Sequence, residues 1–161
     1  MAGVLLDTTV VIDLLRGRPA ALERLRGLRA HGDTPFVCAI NVEETVRGLR
    51  AHEAGAARAL FEGVRVQPLG EREGWQAGEW RRRYASRGRT LAQADCLVAA
   101  AAASIGGRLA TGNPRHFPMR EIAVEHWHVG ERRAQSPARA GRRTTESERG
   151  LPYSSGWRYL P

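Results

Sequence analysis

Apolar and polar positions along this chain fall into blocks of two periodicities. Val4-Leu5-Leu6 is a short apolar run closed by Asp7, the pattern of a buried strand. Val10 to Leu15 is apolar enough for one or two helical turns and stops at Gly17. Pro19 then opens PAALERLRGLRAHG, where Leu22, Leu25 and Leu28 share one stripe of an amphipathic helix. Phe36 to Ile40 predicts a second strand, and Asn41 is placed to cap a helix over NVEETVRGLRAHE. A helix through Ala56 to Phe61 leads to a short strand at Val64 to Val66. Glu71 to Arg87 predicts a helix with Trp75, Gly78, Glu79 and Arg82 along one side, Trp80 and Tyr84 on another, and Gly88 at its end. LAQADCLVAAAAASIGG is apolar nearly all round, which predicts a buried helix halted by two glycines. Arg108 to Thr111 and Ile122 to Trp127 supply the last two strands. Strands separated by helices predict an α/β fold: a central, mostly parallel five-stranded sheet with helices on both faces.

The periodicity stops after Gly130. The expected organisation is one domain over 1–130, followed by an Arg-rich extension over 131–161 that is expected to be disordered, because it has no apolar period to build a core. All 25 basic residues are arginines, set against 17 acids, and half of the net +8 lies in that extension. A strongly positive chain favours a polyanionic partner. For the extension itself, a solvated segment is the simpler expectation than sequence-independent RNA attachment. No apolar run is long enough to span a bilayer, and the N-terminal run reads as a strand, not a signal peptide. Cys38 and Cys96 stand alone in apolar segments, which predicts buried thiols in a reducing, cytoplasmic setting.

Ligands of open parallel sheets bind beyond the carboxyl ends of the strands. That edge should collect Asp7-Thr8-Thr9 after the first strand, Glu43 and Glu44 on the helix after the second, and Thr111-Gly112-Asn113 after the fourth. Asp95 is the one charge on the buried helix. Asp7 alone is equally well read as a helix cap. Asp95 has too little solvent-facing surface around it to stand without a cation or several donors. Glu43 precedes Arg47 by four residues, the spacing of a surface ion pair. Glu44 precedes Gly48, read as leaving space for close approach, and so takes the functional role. Two carboxylates about 5 Å apart repel by roughly 3 kcal/mol at an effective dielectric near 20. Three converging acids therefore bind protons or a cation, and all-oxygen ligands favour Mg²⁺ or Mn²⁺.

Taken together, LLDTTVVIDLL, INVEETVRGL, LAQADCLVAAAA and LATGNPRHF, in this order over residues 4 to about 127, resemble the PIN-domain nucleases and specifically the VapC-type toxins of bacterial toxin–antitoxin pairs. The resemblance implies a PIN-like fold and Mg²⁺- or Mn²⁺-dependent RNA cleavage. It implies that Asp7, Glu44 and Asp95 are the catalytic, metal-holding acids. Thr8 or Thr9 is implied as the hydroxyl supporting the first acid, and Thr111 with Asn113 as the element completing the site. It further implies a homodimer silenced by a VapB-type antitoxin. Two positions depart from the pattern: Asn113 stands where many relatives carry Asp, and His116 where an acid is frequent. With three formal charges, weaker metal binding is expected, and a second ion is disfavoured.

The expected reaction is phosphodiester hydrolysis by metal-activated water, leaving a 5′-phosphate and a 3′-hydroxyl, with Arg115 a candidate for holding the RNA backbone. HAD-type phosphatases also start with a strand ending in Asp, but they require a second Asp two residues on, where this chain has Thr9. A PIN-like module that binds RNA or a partner without cutting is the remaining alternative; it gives no reason to keep three acids. His126 and His128 lack a third ligand, and Asp13 reads as structural. Trp75, Trp80 and Tyr84 read as core or antitoxin contacts before base-stacking residues.

Overall fold

The computed structural model describes residues 2–128; the extension over 131–161 lies outside the described residues. Strand β1 (Gly3–Leu6) is the centre of the sheet. It pairs with β2 (Thr34–Cys38) on one side and β4 (Arg108–Thr111) on the other, while β3 (Arg65–Gln67) and β5 (Ala123–His126) form the edges. Every pairing is parallel, with Leu5 opposite both Phe36 and Leu109. The chain builds outward from β1 through β2 to β3, then crosses back to add β4 and β5 beyond β1. The direction of winding thus reverses between β1 and β4, and crevices for ligands open at such reversals.

The two-residue period of the central strands sorts the core into two layers. Val4 and Leu6 of β1, Val37 of β2 and Ala110 of β4 pack with Val10, Val11 and Leu14 of α1 (Thr8–Leu15) and with Ala21, Leu25 and Leu28 of α2 (Pro19–Ala30). Leu5, Cys38 and Leu109 point the other way, onto α5 (Glu71–Ala85) and α6 (Gln93–Ser104). Helix α6 presents Ala99 to Ala102 fully buried, and side chains this small bring its backbone close to the sheet. It ends where the sequence predicts: Gly106 and Gly107 take φ of 116° and 80°, and the Gly107 N–H returns to the Ala102 carbonyl at 2.8 Å. Both cysteines are free and buried, and burial pushes the Cys96 thiol up to about 11. Among the described residues, no helix is long and apolar enough to cross a membrane.

The boundaries around α3 differ most from expectation. The strand predicted over Phe36–Ile40 ends at Cys38, and α3 (Ala39–Arg47) has already begun at Ala39. Asn41 is therefore not the residue before the helix but lies inside it. The same helix stops at Gly48, a poor helix former, and α4 (Ala54–Glu62) follows after a turn. Gly48 has an ordinary φ of −94°, and an added Cβ would meet only its own helix's carbonyls at 3.5 and 3.7 Å. It marks the helix end, not a close approach.

Glu73 joins the two helices of the second layer. One of its carboxylate oxygens accepts the Gly70 N–H at 2.9 Å, capping α5, and the other accepts the Ser104 hydroxyl at the far end of α6. These bonds, Ser104's first, hold its carboxyl below the usual glutamate range. A depressed folded-state value stabilises the protein above the unfolded value and is lost as pH falls through the folded one. Glu73→Ala is accordingly expected to cost about 1–2 kcal/mol at neutral pH, with the deficit shrinking in acid. Urea unfolding of both proteins at neutral and acidic pH measures this directly.

Candidate active site

The rim at the carboxyl ends of β1 and β4 is assembled from backbone pairing first. Asp7 follows β1 directly, and its N–H donates to the Ala110 carbonyl of β4 at 2.9 Å, so the ladder continues one residue into the site. Asp7 sits at the position before α1, yet its side chain does not cap that helix. Instead Thr9 and Thr111 donate their hydroxyls to the same oxygen, Oδ2, at 2.8 and 2.7 Å. Two residues 102 apart in sequence thereby fix one carboxylate whose residue is only 7% exposed. Thr9 is held in turn by the Gly112 N–H at 2.9 Å, and Thr111 by the Asn113 N–H at 2.9 Å. Sequence alone left the helix-cap reading of Asp7 open; the geometry excludes it, because the carboxylate turns to Thr9 and Thr111 instead.

Glu44 reaches the same rim from α3. Thr8 donates its hydroxyl to Glu44 Oε2 at 2.6 Å, and Asn41 Nδ2 donates to that Thr8 oxygen at 3.2 Å. Asn41 Oδ1 meanwhile accepts the Cys38 N–H at 2.8 Å. Consecutive threonines thus divide the work, Thr9 on Asp7 and Thr8 on Glu44. Glu43, its neighbour, lies exposed and faces Arg47 at 3.8 Å, the surface pair its spacing predicts.

Asp95 enters from the first turn of α6. Its carboxylate lies 3.3 Å from His116 Nδ1, and His116 Nε2 is 2.8 Å from the Asn113 amide. Both departures from the family pattern therefore join in one chain that ends on Asp95. Burial pushes the Asp95 carboxyl above the usual aspartate range, and the charges of Asp7 and Glu44 push it further, against the pull of His116. The Cys38 thiol is raised chiefly by burial, with the same two carboxylates adding to it. The charges of Asp7 and Glu44 therefore both bear on Asp95, although 37 to 88 positions separate the three in sequence.

A buried carboxylate whose ionisation two neighbouring carboxylates oppose suits a hard divalent cation. Among the described residues, no three His, Cys, Asp or Glu side chains are already gathered at ligating distance. Asp7 is the fixed member of the set, and Asp95 is the member whose ionisation its neighbours oppose. Arg115 lies exposed on the short 3-10 turn after β4 (Pro114–His116), and its carbonyl accepts from Arg89 Nη2 at 2.7 Å.

Several residues that stand out in the sequence make no bond to the carboxylates of this rim. Asp13 pairs with Arg18 at 3.9 Å. His126 and His128 stack edge to face at 5.4 Å. Trp80 is buried in the layer beneath α5, whereas Trp75 is 70% exposed. Two participants are not evident from sequence, Asn41 and Arg89. For Asn41 a signal existed: a lone amide three residues before Glu44, on the face of a helix that otherwise turns inward. Arg89 offered none among so many arginines.

A family model described as PIN domain matches residues 4–124. The chain is 36% identical over 115 residues to ribonuclease VapC19 of Mycobacterium tuberculosis, covering 71% of this chain and 92% of that protein. It is 35% identical over 118 residues to ribonuclease VapC10 of the same organism, covering 73% and 88%. In structure it resembles a chain of the DNA-bound VapBC complex from Salmonella typhimurium, with a TM-score of 0.70 at 21% identity over 79% of this chain and 99% of that one.

Proposed function

The chain belongs to the PIN-domain family, and from that premise we propose that it is the ribonuclease toxin of a toxin–antitoxin pair, cleaving RNA with the help of a divalent metal ion. The observation that supports this reading is that the charges of Asp7 and Glu44 both bear on Asp95, with Asp7 fixed at the point where the sheet reverses direction. We assign Mg²⁺ or Mn²⁺ to the three carboxylates, since both ions take hard oxygen ligands. When bound, such an ion favours ionisation of a nearby water and offsets charge accumulating on the phosphate oxygens.

The rest of the work falls to the chain. Thr9 and Thr111 hold Asp7 in one orientation before any substrate arrives. Thr8 directs Glu44, placing a carboxylate to orient the attacking water and take its proton. His116 and Asn113 brace Asp95 and replace the fourth acid without adding negative charge beside the phosphate. A VapB-type antitoxin, a homodimeric toxin and a cytoplasmic location complete the proposal. A catalytically inactive module gains no support from this arrangement, because hydroxyls trained on carboxylates do nothing for a surface that merely attracts RNA.

The test is cleavage of labelled single-stranded RNA by the purified full-length chain. Cuts bearing 5′-phosphates are expected with Mg²⁺ or Mn²⁺, none with chelator, and recovery when the ion is restored. Cleavage that survives chelation, or products ending in a 2′,3′-cyclic phosphate, would sink the mechanism.

A further inference from the structure

Three carboxylates make a poor reception for a polyanion unless positive charge lies alongside. Residues 1–130 carry a net charge of +4, and much of it is concentrated in one place. The last turn of α5 and the loop after it bring Arg83, Arg87 and Arg89 together, and the segment before β5 adds Arg120. With Tyr84, Pro118 and the single acid Glu121, they border an open cleft of about 490 Å³.

Tyr84 organises this cleft. Its hydroxyl donates to the Pro118 carbonyl at 2.6 Å, and the Arg83 and Arg89 guanidiniums lie 5.8 and 5.9 Å from its ring centroid. At that distance the ring attracts both cations and favours their staying beside it. Arg83 is paired with Glu121; Arg87, Arg89 and Arg120 have no acidic partner among the described residues. Arg89 also joins the cleft to the catalytic rim. It bonds the Arg115 carbonyl, and the next residue, His116, is the one beside Asp95.

We propose that this cleft binds the sugar–phosphate backbone of the RNA strand next to the bond being cut. The proposal rests on the ribonuclease reading and adds where the substrate lies. Guanidiniums match phosphate oxygens in geometry as well as charge, and they position a strand without reading its bases. Tyr84 and its flanking guanidinium planes also offer unpaired bases a surface to stack on, which favours single-stranded over duplex RNA. The short link through Arg89, Arg115 and His116 puts the cleft beside the scissile phosphate instead of on an unrelated face.

The test measures binding apart from cleavage. The full-length chain and its R87A/R120A double variant are titrated with fluorescent single-stranded RNA in chelator over a range of salt. Both side chains are exposed and neither makes a bond that the fold uses, so folding is retained and circular dichroism checks it. The expected result is weaker binding at low salt and a log K against log salt slope shallower by about 1.4, or 0.7 for each phosphate that is no longer neutralised. R26A/R58A, which removes two exposed arginines elsewhere, should leave the slope unchanged. An unchanged slope for R87A/R120A overturns the cleft while leaving the ribonuclease reading intact. Loss of poly-glutamate binding with RNA binding preserved also overturns it, in favour of an acidic protein partner. Absence of cleavage by the unmodified chain with metal strikes the ribonuclease reading instead.

Discussion

Replacing Asp95 with Asn is expected to reduce metal-dependent RNA cleavage by more than about 100-fold while making the metal-free protein no less stable. The first half follows from its place in the site: changes one shell further out already cost about 10- to 100-fold in metal affinity or activity, and Asp95 is assigned to the metal itself. The second half follows from electrostatics. Burial disfavours the charged form of Asp95, and Asp7 and Glu44 oppose it too, so the folded state holds this proton to higher pH than the unfolded chain does. A raised carboxyl value means the folded protein binds more protons, and its stability therefore falls as pH rises through the window between the unfolded and folded values. Asparagine has the same shape and no such charge. Without metal, the variant should gain on the parent as pH climbs from acid to neutral. Adding Mg²⁺ or Mn²⁺ should raise the melting temperature of the parent and leave that of the variant nearly unmoved. Thermal melts with chelator and with metal read both effects. A variant that melts far below the parent in chelator would mean that Asp95 is a structural residue, and a variant that still cuts RNA would remove it from the site.

What the sequence could convey about this fold depended on how locally each feature is encoded. Helix α6 was legible because its apolar run and its two glycines lie within one segment, and positive φ at Gly106 and Gly107 is a demand that only glycine meets without strain. β1 and β4 were legible because short apolar runs end in polar residues. The limits of α3 were not. Asn41 has a strong preference for the position before a helix, yet here the helix starts at Ala39 and the same side chain reaches back to the Cys38 N–H from inside. The role of Asp7 was not local either. Its competing function as a helix cap is excluded by Thr111, a residue from the far end of the chain, and only the parallel pairing of β1 with β4 brings that hydroxyl within reach. Arg89 was illegible for a different reason. Its importance comes from one bond to the Arg115 carbonyl, and a chain with 25 arginines gives no sign which of them makes it.

Asn41 also supports the strongest prediction outside the carboxylates. It is fully buried and uses both ends of its amide, accepting from the Cys38 N–H and donating to Thr8, whose own hydroxyl proton goes to Glu44. The order of donors fixes the order of the chain: because Asn41 occupies the lone pair of the Thr8 oxygen, the hydroxyl proton is free to point at Glu44. Asn41→Ala removes one partner from each of two buried groups and leaves a small cavity. The expected cost is about 2–4 kcal/mol, since an orphaned buried polar group costs about 1–3 kcal/mol. For a domain of this size that corresponds to a melting temperature lower by roughly 4–16 °C. Activity should fall as well, by about 10- to 100-fold, because the Thr8 hydroxyl that orients Glu44 loses the amide holding it in place. Asn41→Asp separates the two effects. Its carboxylate still accepts the Cys38 N–H but has no proton for Thr8, and it places a further negative charge beside Glu44, so the Thr8 hydroxyl turns toward position 41 and away from the site. Asn41→Asp should therefore retain more stability than Asn41→Ala in acid, where the new carboxyl is protonated, yet recover no activity at neutral pH. Urea unfolding and RNA cleavage measured on the same preparations decide the matter. Full activity in Asn41→Ala would show that Glu44 is held by something other than the chain of hydrogen bonds leading to it.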